Sequence, residues 1–187
     1  PGDVVLVPNP GYPVFTAGPF LCGAKVETYD LHPENNFLIE FDKIPEEQAR
    51  RAKMMIVSYP LNPVCVTAPD SFYEELIAFA KKYNIIILHD NAYSDIIYGG
   101  KVGKSFLSFE GARDVGVEFY SLSKSYNYTG ARMSFVVGNQ AVIDKFKNVR
   151  SQIDYGIFLP VQYGAIAALT GPQDAVKAQC EEYDRRN

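Results

Sequence analysis

The residues best suited to chemistry are gathered between Ser121 and Arg132, in the run Ser121-Leu122-Ser123-Lys124-Ser125-Tyr126-Asn127-Tyr128-Thr129-Gly130-Ala131-Arg132. A lysine flanked by serines leaves the end of an apolar stretch, and an arginine follows eight residues later. Serine hydroxyls and a guanidinium together can hold a phosphate. A lysine amine beside them, activated by cationic neighbours, can act as a nucleophile. Read alone, the same residues also suit a solvated basic loop.

Two further segments carry groups that need partners. His89-Asp90-Asn91-Ala92-Tyr93 follows the apolar run Ile85-Ile86-Ile87-Leu88, which puts the Asp90 carboxylate at the edge of a dry core. A carboxylate there needs a cationic or protonated partner, and a protonated pyridine nitrogen would serve. Tyr93 could donate to a phenolate oxygen, and a helix-cap or turn role is the plainer use of Asp90. In Ser58-Tyr59-Pro60-Leu61-Asn62-Pro63, two prolines constrain the backbone around Asn62. Its amide could reach the same oxygen, although asparagine also belongs in ordinary turns.

These residues need strands to deliver them. Short apolar runs alternate with helical stretches, the pattern of an α/β domain with a mostly parallel sheet. Strands are expected at Val4 to Val7, Ala24 to Tyr29, Met54 to Ser58, Ile85 to Leu88, Val117 to Ser121 and Met133 to Val137. Helices are expected at Phe15 to Leu21, Phe41 to Lys53, Asp70 to Tyr83, Ala141 to Ile153, Tyr163 to Leu169 and Gln173 to Arg186, with a loop at Pro33 to Phe37. The unbroken apolar run at Ile85 suggests a strand covered on both faces. Asn9, Asn62, Asp90 and Ser121 all lie at or just after strand ends, where open parallel sheets bind ligands.

Composition narrows the class. The chain has 187 residues, with 47% hydrophobic and 21% charged residues, which suits one soluble domain. A formal net charge of -4 offers no electrostatic case for nucleic acid or an anionic membrane, and no apolar run is long enough to span a bilayer. Cys22, Cys65 and Cys180 are odd in number and widely spaced, which argues against a disulfide framework or a zinc site and for a cytoplasmic setting. No metal is expected. The chain opens on Pro1 rather than methionine and stops inside a helical pattern, so it is expected to be an excised domain. No glycine-rich phosphate loop follows a strand, which counts against a generic nucleotide-binding domain.

Taken together, Asn62-Pro63, Asp90-x-Ala-Tyr93 and Ser121-x-Ser123-Lys124 with Arg132 resemble the fold-type I aminotransferases of classes I and II, a group that includes aspartate, alanine, aromatic and LL-diaminopimelate aminotransferases. The resemblance runs over nearly the whole chain, in order and in spacing. It implies a three-layer α/β/α sandwich, with the Met133 to Val137 strand antiparallel, and pyridoxal 5′-phosphate as cofactor. Lys124 would form the internal Schiff base and shuttle the proton between substrate Cα and cofactor C4′. Asp90 would pair with the pyridine nitrogen, Tyr93 and Asn62 with the phenolic oxygen, and Ser121, Ser123 and Arg132 with the phosphate. Tyr12, in Pro10-Gly11-Tyr12-Pro13, falls where the family places an aromatic ring against the cofactor, with Phe15 the competing choice.

Two departures stand out. Val64-Cys65 follows Asn62-Pro63 where Thr-Gly is usual, and Ala131 precedes Arg132 where a bulkier residue is frequent. The resemblance further implies amino-acid and 2-oxo-acid substrates and a homodimeric parent. Residues 1–187 would then be a partial large domain, inactive alone, lacking an upstream phosphate-binding turn and a C-terminal small domain with its carboxylate-binding arginine. A lyase or decarboxylase of the same fold, or the effector-binding domain of an aminotransferase-like transcription regulator, would carry the same cofactor residues. A basic winged-helix segment upstream would mark the regulator.

Overall fold

The computed structural model describes residues 1–187. The apolar runs become six strands: β1 Val4–Asn9, β2 Lys25–Asp30, β3 Ala52–Ser58, β4 Ile86–Asp90, β5 Gly116–Ser121 and β6 Ser134–Gly138. They form one sheet in the order β2-β1-β3-β4-β5-β6. The first five are parallel. β6 runs antiparallel to β5, from Val117 opposite Gly138 to Ser121 opposite Ser134. Helices flank this sheet: α1 Pro13–Leu21, α2 Glu46–Arg51, α3 Asp70–Tyr83, α4 Ala112–Val115, α5 Leu122–Ser125, α6 Gln140–Arg150, α7 Leu159–Thr170 and α8 Asp174–Arg186. The α/β class, the mostly parallel sheet and its antiparallel last strand are as expected.

The two faces of the sheet differ, and the difference makes the site. α3 buries Phe72, Tyr73, Leu76, Ile77, Phe79 and Ala80, a set spaced to fall along one side of a helix. It covers the face on which Met55, Val57, Ile87 and His89 are fully enclosed. The Tyr73 ring meets His89 edge-on at 5.6 Å, and Phe72 meets Tyr59 at 4.8 Å. Asn84 ends the helix in the left-handed conformation, φ 55°, which asparagine tolerates better than most residues.

β4 does not fit the expectation of a strand covered on both faces. Ile87 and His89 are enclosed, whereas Ile86 is 37% exposed and Leu88 and Asp90 are half-buried. The Leu88 and Asp90 side fronts an open cavity instead of a packed layer. The strand also begins one residue later than expected and carries on through His89 to Asp90, so Asp90 is its last residue rather than the second beyond it.

Local signals are overridden elsewhere. The single helix expected over Phe41 to Lys53 divides into a 3-10 turn at Phe41–Lys43, α2, and the start of β3 at Ala52. Pro45 stands at the N-cap of α2 in extended backbone, and Ala52 pairs with Val4 across the sheet, which outweighs helix propensity. The loop expected at Pro33 to Phe37 contains a 3-10 turn at Pro33–Asn35. α7 begins at Leu159 rather than Tyr163, because a proline in the first turn leaves no intrahelical hydrogen bond unmade. Gly116 is needed for the fit of β5 against β4: a Cβ there would lie 2.7 Å from the Ile87 carbonyl oxygen and 3.0 Å from the Phe106 ring.

Candidate functional site

The side chains singled out in the sequence are brought to one end of the sheet by several different elements. Asp90 closes β4, next to Ser58 of β3 and Phe119 of β5. The Ser58 hydroxyl donates to the Asp90 carbonyl at 3.0 Å, which ties the two strand ends together. Asn62 follows β3 in a segment whose Tyr59–Pro60 and Asn62–Pro63 peptide bonds are cis. Leu61 is buried beneath it and anchors the turn, and Asn62 stays exposed. Cys65 occupies the left-handed region at φ 58°, where the family's usual glycine would sit without strain.

The lysine turn is built by the same logic. Leu122 and Ser125 are buried and pin α5, while Lys124 is exposed. Ser121 caps the turn: its Oγ accepts from the Ser123 N–H at 3.2 Å, so its hydroxyl proton is free to donate elsewhere. The Thr129 hydroxyl donates to the Ser123 carbonyl at 2.7 Å, folding the following segment back over the turn. That segment ends at Arg132, at φ 58°, whose Nη1 donates to the Thr129 carbonyl at 2.9 Å. Neither Lys124 nor Arg132 is in an ion pair.

Tyr12, Asn62, Asp90, Tyr93, Ser121, Ser123, Lys124 and Arg132 all line one cavity of about 970 Å³. Its apolar floor comes from Val5, Met54, Ile56 and Leu88 of the uncovered sheet face, and α1 forms a wall with Phe15, Gly18 and Pro19. Between the two aromatic candidates the geometry favours Tyr12. Its ring is exposed to the cavity and meets Phe15 edge-on at 5.8 Å, while Phe15 is buried behind it. Lys124 Nζ lies 5.9 Å from the centre of the Tyr93 ring.

The charges in the cavity are unmatched. Burial pushes the Asp90 carboxyl above the usual carboxylate range, and the neighbouring His89 only partly opposes this. No cationic side chain pairs with it. The site thus presents a carboxylate short of a cation at one strand end. It also presents a lysine, an arginine and two serine hydroxyls short of an anion.

Some residues of the site carry no signal in the sequence. Tyr120 also lines the cavity and donates its phenol to the Asp95 carboxylate, which accepts from the Ser125 hydroxyl at 2.8 Å as well. Burial pushes the Tyr120 phenol well above its ordinary value, and the hydrogen bond to Asp95 adds to the shift. These partners are 25 and 30 residues apart in the chain, and no local pattern joins them.

Comparison with known proteins bears on the family and the fold. The family model for aminotransferase class I and II matches residues 1–186. The LL-diaminopimelate aminotransferase of Halothermothrix orenii is 49% identical over 186 residues, covering 100% of this chain and 48% of that protein. The glutamate-pyruvate aminotransferase AlaC of Escherichia coli is 43% identical over 185 residues, covering 99% of this chain and 45% of that one. Among solved structures, substrate-bound BacF from Bacillus subtilis superposes with a TM-score of 0.96 at 39% identity, over 100% of this chain and 47% of that one. A probable N-succinyldiaminopimelate aminotransferase from Thermus thermophilus gives 0.94 at 30% identity, over 100% and 50%. The chain thus spans about half the length of the curated relatives it matches. With the family model matched from end to end and the strand-end residues in place, the chain belongs to the class I and II aminotransferases, a family that works with pyridoxal phosphate.

Proposed function

We propose that the strand-end cavity holds pyridoxal phosphate and that this chain is the cofactor-binding core of an enzyme moving an amino group between an amino acid and a 2-oxo acid. The observation that carries the reading is the convergence of Lys124, Asp90 and Arg132 on one cavity, with the anionic and cationic groups each lacking a partner. A phosphate suits Arg132 and the Ser121 and Ser123 hydroxyls. A protonated ring nitrogen suits Asp90, whose raised pKa marks the need for a cation.

The roles follow from the chemistry of each side chain. When bound, the cofactor supplies an electron sink for charge that develops at the substrate Cα. Asp90 keeps a proton on the ring nitrogen by offering it a carboxylate. Lys124 provides the amine that anchors the cofactor aldehyde and, once released, carries a proton to and from the substrate Cα. Tyr93 and Asn62 donate to the ring oxygen, Tyr12 shields one ring face from water, and Arg132 with the two serines fixes the phosphate end.

The chain spans about half of its relatives. In this reading residues 1–187 are therefore part of a large domain, with an upstream segment and a small domain outside it. The activity and the homodimer belong to the whole protein. The names of the relatives direct the choice of amino donors to LL-diaminopimelate and glutamate. The reading is tested by trapping pyridoxal phosphate with borohydride and mapping the labelled peptide. Label is expected on Lys124 alone, and label spread evenly over Lys81, Lys101, Lys104 and Lys145 would overturn it.

A further inference from the structure

α8 is an unusual neighbour for a reactive turn. None of its residues is buried, so apolar burial contributes little to holding it in place. Its attachments are polar, and three of them go to the Lys124 turn. The Gln179 amide donates to the Lys124 carbonyl oxygen at 3.0 Å. Its other end accepts from the Asn127 side chain at 2.7 Å. At the N-cap of the helix, Gln173 accepts from the Tyr126 hydroxyl at 2.8 Å. Cys180 and Asp184 reach Asp95 and Gly99, and Asp95 is itself bonded to Ser125, the residue after the lysine.

α5 has only four residues and so cannot hold its own geometry by helical cooperativity. The Lys124 carbonyl has one other donor, the Asn127 N–H, at a long 3.5 Å. Gln179 is the side chain that contacts Lys124 and, just after the turn, Asn127 at once. We propose that Gln179 is a positioning residue for Lys124: it fixes the lysine turn against α8 and so holds the amine where the cofactor aldehyde arrives. The proposal rests on the reading of Lys124 as the cofactor-anchoring amine.

The step that should feel this contact is the covalent one. The Lys124 nitrogen forms a bond to the aldehyde carbon, and the aldehyde oxygen leaves as water. Binding of the phosphate and ring without that bond should not depend on Gln179. Two probes separate the two. Pyridoxal phosphate reports the covalent step, read as borohydride-trapped label on Lys124. Pyridoxine 5′-phosphate, with an alcohol in place of the aldehyde, reports non-covalent binding alone. In the purified protein, Gln179→Ala is expected to raise the half-saturating concentration of pyridoxal phosphate about tenfold, equivalent to about 1.4 kcal/mol. The affinity for pyridoxine 5′-phosphate should stay unchanged. Gln179→Glu keeps the acceptor for Asn127 but loses the donor to Lys124, and it should behave as the alanine variant does. An equal loss for both probes, or a loss for neither, would overturn the proposal. Absence of label from Lys124 in the unaltered protein would instead bring down the cofactor reading itself, and this proposal with it.

Discussion

His89 and Asp90 are consecutive in β4 and serve opposite faces of the sheet. His89 is enclosed beneath α3, where its Nδ1 lies 3.0 Å from Glu118 Oε2. Asp90 opens onto the cavity with no cation beside it. One ionisable side is therefore paired within the chain, through His89 Nδ1 and Glu118, and the other has no charged partner. That asymmetry separates a structural pair from a binding group, although the two residues are neighbours in sequence.

Asp90 should make the cofactor-free protein less stable than it could be. Its carboxyl is raised above the usual range by burial, so the charged form is penalised in the folded state. Below its unfolded pKa the group is protonated in both states and no penalty exists. The penalty grows as the pH rises through the folded value and is complete above it. Asp90→Asn should therefore raise the thermal midpoint of the cofactor-free protein at pH 7 and leave it little changed at low pH. With pyridoxal phosphate present the order should reverse, since the variant lacks the anion for the ring nitrogen. Thermal scans at two pH values, with and without cofactor, check both signs. A lower midpoint for the cofactor-free variant at pH 7 would contradict the assignment.

Glu118 should behave in the opposite sense. Burial pushes its carboxyl up, but hydrogen bonds from His89, Ser105 and the Phe106 N–H outweigh it and hold the carboxyl below its ordinary value. The contacts are 3.0, 2.8 and 2.7 Å long. A depressed folded pKa contributes stability above the ordinary glutamate range, and that stability is lost as pH falls through the folded value. Glu118→Ala would strand His89 and the Phe106 N–H in the core. It should cost about 3 to 5 kcal/mol at neutral pH. The difference from the parent should shrink in acid, which denaturant titrations at neutral pH and in acid would reveal.

The strand-end residues were legible in sequence because their information is local. Asp90 follows an apolar run, Lys124 sits among serines eight residues before Arg132, and those spacings carry the family resemblance. The long helix α3 was legible to its ends, since Pro69, Asp70 and the spacing of Phe72, Leu76, Phe79 and Ala80 all agree. What was not legible depends on partners far away in the chain. Gln179 is 55 residues from the carbonyl it meets, and Tyr120 is 25 from Asp95. Ala52 became a strand because Val4 stands beside it, and no helix or strand propensity of residues 46–53 records that.

Arg132 offers a test confined to one end of the cofactor. Its guanidinium has no carboxylate partner and donates a hydrogen bond to the Thr129 carbonyl. A charge-assisted hydrogen bond to a phosphate contributes about 1.5 to 3 kcal/mol. Arg132→Ala should weaken pyridoxal phosphate binding by about 10-fold to about 150-fold. Binding of pyridoxal, which lacks the phosphate, should be unaffected. Equal losses for the two ligands would show that Arg132 acts on the shape of the cavity and not on the phosphate.

α7 is apolar around its whole circumference, yet Ala165 is its only buried residue. Leu159, Tyr163, Ile166 and Leu169 are exposed, as are Ile153, Tyr155 and Phe158 just before it. A helix that is apolar on all sides is normally an enclosed one. Burying one large apolar side chain is worth about 1.5 to 3 kcal/mol, so several together provide a strong drive to be covered. The 187-residue chain alone should therefore self-associate as its concentration rises. Light scattering across a dilution series measures this. Leu159→Ser with Ile166→Ser should shift the chain toward monomer without lowering its thermal midpoint, because neither side chain contributes to the core. A parent chain that stays monomeric at high concentration would show that this face does not need a cover.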